Sequence, residues 1–184
     1  MRTIDHWEYA KLMIKDIHVP CRMKLAFMFG SVMPDFNKFS YMGHHVKDWA
    51  RGHSFRVRRK EIIHFFRRHY RHSSVWWFLA GLKFHYLGDS FSRPHNPEFG
   101  YSSKDHVAYE WELHYAVREL LASGRHYPPA KVTGNLNRWL NDRHRQYLRK
   151  STGIREDVYY LDSSLMGLWD FFINFTLAGL QKEK

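Results

Sequence analysis

The sequence predicts an all-α, single-domain helical bundle, and three observations carry that reading. Apolar residues recur with helical period nearly throughout the chain. No stretch shows the sustained alternation of apolar and polar residues, bounded by turn signals, that marks a half-buried strand. Cap and stop residues (Ser73, Ser102, Gly124 and Pro94) fall where helices of ordinary length would begin and end. The chain has 184 residues, of which 44% are hydrophobic and 17% aromatic. That is enough to bury a core without staples. With no repeat, low-complexity tract or linker to divide it, residues 1–184 read as one domain.

The elements follow in order. A first helix is expected from Asp5 to about Lys15, because Asp5 and Glu8 are spaced like a capping box. Pro20 suits the first turn of a second helix, expected to end near Gly30. Ser31 to about Ser54, with Pro34, Gly43 and Gly52, reads as a long irregular stretch. Loops of that length in compact domains are functional or disordered. A basic helix runs from Phe55 to Tyr70. Ser73 or Ser74 caps the next helix, which must stop before Pro94. Ser102 or Ser103 caps another that ends at Gly124. Two more helices are expected, at about Leu136–Leu148 and Glu156–Lys182, the second with a kink placed near Gly167.

Composition narrows the function. A lone cysteine, Cys21, excludes an internal disulfide framework. The opening MRTIDHWEYAKL lacks the apolar core of a signal peptide. Together these point to the cytoplasm, with a peripheral position at a membrane left open. The most apolar stretch, Leu165 to Leu180, is interrupted by Asp170 and Asn174 and reads as a buried helix rather than a membrane span. The formal charge of +11, from 29 Lys and Arg against 18 Asp and Glu, favours partners that carry phosphate: nucleic acid, anionic lipid headgroups or soluble phosphoesters. In the basic helix, Arg56, Arg58, Arg59, Lys60, Arg67, Arg68 and Arg71 flank Ile62, Ile63, Phe65 and Phe66. Such a helix either rests on an anionic membrane, lines a phosphate approach, or turns its apolar side to the core and its charges to solvent.

The chemistry concentrates in the segment FHYLGDSFSRPHNPEFGYSSKDHVAYE, residues 84–110. His85 and Asp89 are four apart on a helix, so both project from one face. His106 and Glu110 repeat that relation on the next helix, and His95 lies between them, just after Pro94. Two helices that each offer a histidine and a carboxylate at one-turn spacing can close a metal site between them. Nitrogen and oxygen donors of this mix suit zinc well, and iron or manganese acceptably. An isolated pair of this kind is usually a surface ion pair. Here Trp76, Trp77, Phe78, Leu82 and Leu87 place the first pair in apolar surroundings, where charge must be coordinated or paired.

The run His85, Asp89, His95, His106, Glu110 resembles the zinc-ligand signature of the zinc-dependent phospholipases C. Upstream, Gly30-Ser31-Val32-Met33-Pro34-Asp35 resembles the family segment whose aspartate is a ligand. Arg51-Gly52-His53 resembles a later Gly-His segment, and His6 falls where the N-terminal helix of the family supplies a ligand. The resemblance implies one zinc held by Asp35, His53, His85 and Asp89 and a second by His95, His106 and Glu110. A third would be shared by Asp89 and His6. Secreted members complete that third site with an N-terminal tryptophan, which this chain lacks, so two zincs are expected and three are the upper count. The implied activity is phosphoester hydrolysis, in which metal-bound hydroxide attacks a phosphodiester. Asp35 and Asp89 are the implied catalytic carboxylates, with Asp35 accepting a proton from water, and Arg93 is a candidate to touch the substrate phosphate.

His44 and His45 are alternatives to His53 in the same loop. His114, one turn beyond Glu110, either approaches the second site or is an ordinary polar helix position. His18, His64, His69, His72, His126 and His144 have no partner at convincing spacing. Phe36, Phe39 and Tyr41 are placed to shape a pocket. Two other functions stay open: a zinc nuclease-like enzyme of the related single-strand-specific kind, and a non-catalytic, metal-stabilised basic module that binds membrane or nucleic acid. Aromatic side chains facing the metals would favour nucleotides, an exposed apolar rim would favour lipid, and closed four-ligand sites would favour a structural role. The oligomeric state is not encoded in any of these features.

Overall fold

A computed structural model describes residues 1–36, 52–68 and 71–176, and the fold is all-α. Seven helices follow one another: α1 Thr3–Ile14, α2 Cys21–Phe36, α3 Phe55–Phe66, α4 Ser74–Asp89, α5 Ser103–Ala122, α6 Leu136–Lys150 and α7 Ile154–Phe171. Two short 3-10 turns, Arg93–His95 and Pro97–Phe99, link α4 to α5. The last helix widens into a π turn over Phe172–Thr176. No strand occurs among the described residues.

Several boundaries differ from those expected. α1 begins at Thr3, so Asp5 is not its cap; the Asp5 carboxylate reaches back to accept the Arg2 N–H at 3.1 Å. Glu8 instead forms an exposed pair with Lys11 at 3.9 Å. α2 does not end at Gly30 but continues through Pro34, absorbing the first part of the expected irregular stretch. Gly30 is there because α4 crosses at that point: a Cβ on Gly30 would lie 2.0 Å from the Phe78 carbonyl oxygen. Gly81 is its counterpart on α4, with a Cβ that would meet the Phe27 carbonyl oxygen at 2.0 Å. α3 stops at Phe66 rather than Tyr70. α7 passes straight through Gly167, whose missing side chain admits the Ala130 carbonyl, and its widening comes later. His44, His45, His69, Phe39, Tyr41 and the chain beyond Thr176 lie outside the described residues.

The caps agree with expectation where a hydroxyl is available. Ser73 Oγ accepts the Trp76 N–H at 3.2 Å and Ser102 Oγ accepts that of Asp105 at 3.3 Å. Gly124 takes the left-handed conformation (φ +64°) just past α5, which suits a residue without a Cβ. The core is aromatic: Phe27, Phe66, Trp77, Phe91 and Phe172 are almost wholly buried. Phe172 stacks on Trp76 with centroids 5.4 Å apart and meets Phe66 edge-on at 5.6 Å. Offset and edge-to-face contacts of this kind add to the area term of burial. α3 sends Ile62, Ile63, Phe65 and Phe66 into this core. Its apolar side is therefore packed into the core.

Candidate metal centre

Four elements converge at one end of the bundle to bring their polar side chains together. α1 carries His6, α2 ends with Asp35, α4 ends with His85 and Asp89, and α5 begins with His106 and Glu110. His53 comes from the turn that leads into α3, and His95 closes the first 3-10 turn. The one-turn spacing on α4 and α5 does what helical geometry requires: His85 Nε2 lies 3.1 Å from Asp89 Oδ2, and His106 Nε2 lies 3.3 Å from Glu110 Oε1.

Asp89 is the hub. Its Oδ2 faces His53 Nδ1 at 2.8 Å and His85 Nε2 at 3.1 Å. Its Oδ1 faces His6 Nε2 at 3.2 Å, the Met1 amine at 3.2 Å and His95 Nε2 at 3.6 Å. His95 also reaches Glu110 Oε1 at 3.3 Å, and Asp35 Oδ1 approaches His85 Nε2 at 3.6 Å. The donors form four overlapping triads that could each hold a metal ion: His6, His85 and Asp89; Asp35, His53 and His85; His53, Asp89 and His95; His95, His106 and Glu110. All eight residues singled out in the sequence are thus brought together. The first triad is buried throughout, whereas the last is half-buried and lines an open cleft of about 400 Å³ with Met1, Arg2, Thr3, Ile4 and Asp35.

The electrostatics follow from this crowding. Burial opposes the charge on Asp89, but His95, the Met1 amine, His85 and His6 outweigh it and hold the carboxyl well below its ordinary value. Glu110 is likewise pushed down against burial, by hydrogen bonds from His106 and His95 and by the Met1 amine. Burial lowers His95 to about 4, against the opposing pull of Asp89. His85 moves the other way: Asp89 and Asp35 overcome its burial and raise it. The Met1 amine rises to about 10, because Asp89, Glu110 and Asp35 overcome the effect of burial.

Two further observations show that the residues fit a metal. The Asp35 Oδ2 atom is buried with no hydrogen-bond partner among the described residues, an uncompensated position for a carboxylate oxygen unless a cation meets it. His85 Nδ1 lies 2.8 Å from the Ser31 carbonyl, which fixes the N–H on that nitrogen and turns the Nε2 lone pair inward. Nitrogen from imidazole and oxygen from carboxylate is the donor set of zinc sites.

Supporting residues were harder to foresee. Arg58 is buried, donates to the Gly52 carbonyl next to His53, and pairs with Glu61 at 2.7 Å while lying over the Tyr86 ring. Asn96 donates to the Ser90 and Ser92 carbonyls at 3.1 and 2.9 Å and accepts from His144 at 2.8 Å, pinning the chain that carries His95. Asp157 accepts the Arg93 N–H at 2.8 Å and the Tyr109 hydroxyl at 3.0 Å, tying that same chain to α5 and α7. His114, on α5, is buried and meets Asp5 Oδ1 at 2.6 Å. Arg93 donates to the Thr152 carbonyl at 2.9 Å and lies over Phe99; it is not among the residues lining the cleft, whereas Arg2 is.

The model of a family described as zinc dependent phospholipase C matches residues 6–154. No curated protein and no solved structure gives a match.

Proposed function

The chain belongs to the zinc-dependent phospholipase C family, and from that premise we propose that it is a zinc-dependent hydrolase that cleaves the phosphodiester of a phospholipid. The observation that carries this reading is the open triad of His95, His106 and Glu110 at the cleft, backed by the buried donors around Asp89. Three donors leave a tetrahedral ion one position for water or substrate, which a purely structural site would close.

In this reading Asp35, His53, His85 and Asp89 would hold one zinc and His95, His106 and Glu110 a second, while His6 with Asp89 would take the third where three are bound. Zinc bound there would polarise the phosphoryl oxygens and make water acidic enough to attack at neutral pH. The chain's own residues do the rest. Asp89 places both carboxylate oxygens among four imidazoles. Asp35, which lines the cleft, is the carboxylate in this reading that would accept a proton from water. Arg2, stacked over Trp111 at 3.5 Å and lining the cleft, would supply a cation for the substrate phosphate. An exposed apolar rim favours lipid over nucleotide: Ile4 lines the cleft and Phe36 follows Asp35, and both are exposed.

The test is release of phosphorylated headgroup from phosphatidylcholine by the zinc-loaded protein and by Asp89→Asn. Activity should require zinc and fall by about 100-fold in the variant. Full activity of Asp89→Asn on every phosphodiester that the parent cleaves would remove the proposed centre. Cleavage confined to single-stranded oligonucleotides would place the enzyme with the nuclease-like reading instead.

A further inference from the structure

The exposed side of α2 carries an apolar stripe that the catalytic reading leaves unused. Leu25, Phe29, Met33 and Phe36 are 45%, 53%, 39% and 72% exposed, and their spacing of four, four and three residues puts them on one face of the helix. The opposite face of the same helix, with Met23, Phe27 and Gly30, is buried against the bundle. α1 extends the stripe: Trp7 meets Phe29 edge-on at 5.9 Å, and Ile4 is exposed beyond it. A contiguous apolar face of this kind on a surface helix marks an interaction site.

We infer that this face of the α1–α2 pair is a docking surface for an anionic phospholipid bilayer. Two features choose that occupant. One is charge: the end of the pair farthest from the cleft carries Lys11, Lys15, Arg22 and Lys24 against Glu8 and Asp16. The pairings there, Lys11–Glu8 at 3.9 Å and Lys15–Asp16 at 4.0 Å, are long and exposed, so they leave the net positive charge available to anionic headgroups. The other is position. Ser31 Oγ on α2 donates to the His6 carbonyl on α1 at 3.4 Å, which sets the two helices side by side. Their shared end is the cleft, where Ile4 and Asp35 are both lining residues. Apolar side chains entering the headgroup region would therefore bring the cleft mouth to the lipid phosphates, with flanking cations at the same interface. A nucleic-acid strand would need a cationic groove to track its backbone, and the stripe itself is aliphatic and aromatic without a cation between Leu25 and Phe36. The inference rests on the phospholipid reading for its purpose, but vesicle binding is read by flotation and does not require turnover.

The experiment is flotation of the full chain with vesicles of phosphatidylcholine and phosphatidylglycerol, and with phosphatidylcholine alone. The parent should float with the anionic vesicles and less with the neutral ones. Leu25→Ser with Phe29→Ser should bind about tenfold or more weakly, with zinc content and hydrolysis of a water-soluble phosphodiester unchanged. Arg22→Glu with Lys15→Glu should weaken binding to the anionic vesicles alone, and it carries the test if the first pair disturbs folding. Flotation of both variants equal to the parent would overturn the inference. So would a parent that hydrolyses the soluble phosphodiester yet binds no vesicle, an outcome that leaves the hydrolase reading standing. A concentration-dependent dimer, or oligonucleotide binding in place of vesicle binding, that Leu25→Ser with Phe29→Ser abolishes would assign the face to another partner. Vesicle binding lost in the variants of a protein that hydrolyses nothing would uphold the surface and remove the enzyme.

Discussion

At the scale of single residues, the centre depends on side chains that hold other side chains. His144 is the clearest case to test. It is buried, stacks on Phe55 with centroids 3.7 Å apart, and donates to Asn96, whose own amide fixes the chain around His95. Burial lowers its pKa from 6.5 to about 3. Between those values the unfolded chain binds the proton and the folded chain does not, so His144 makes stability fall as pH drops from about 6.5 toward about 3. The variant His144→Gln keeps an N–H for Asn96 but cannot titrate. Chemical denaturation of parent and variant across that range should show the parent losing a few kcal/mol more than the variant; identical pH slopes would mean that the ring is solvated. His85, Asp89, His106 and Glu110 were legible from sequence because one-turn spacing alone makes neighbours on a helix. Asn96, Asp157, Arg58 and the pairing of His114 with Asp5 were not, because each depends on contact between segments far apart in the chain.

At the scale of the helices, the crossing of α2 and α4 sets the geometry of the site, since these two helices carry Asp35, His85 and Asp89. Gly30 and Gly81 let the backbones meet. Alanine ordinarily gains about 1 kcal/mol over glycine inside a helix. Here Gly30→Ala should do the reverse, destabilising the fold by about 2 kcal/mol or more, because its Cβ would sit 2.0 Å from a backbone oxygen that cannot turn away. Thermal or urea denaturation checks the sign, and a stabilised Gly30→Ala would show that the helices do not touch there. The same crossing explains why α2 was misread. A glycine after an apolar run reads as a helix stop, and its role as a contact point is invisible until the partner helix is known. The exposed stripe was hidden for a related reason. Phe27 and Met23 face the core while Phe29 and Leu25 face outward, so the helix is apolar on both sides and gives no amphipathic signal. α3 gave a strong one, yet its apolar side belongs to the core.

At the scale of the whole molecule, the seven helices of the described residues gather buried carboxylates and imidazoles at one end and an aromatic core behind them. No helix among the described residues is long and apolar enough to cross a membrane. The polar cluster is stable only if its charges are met: Asp35, Asp89 and Glu110 stand among His6, His53, His85, His95 and His106, and unpaired charge in such surroundings is costly. Metal would supply the compensation, and the hydrolase reading depends on it. The most direct measurement is therefore the zinc content, by mass spectrometry, of the purified untagged chain together with His85→Ala and His106→Ala. The parent chain should carry more than one zinc, with part of the metal lost in each variant, because His85 and His106 belong to different triads. Metal-free parent protein, or two variants that retain the full zinc of the parent, would contradict it.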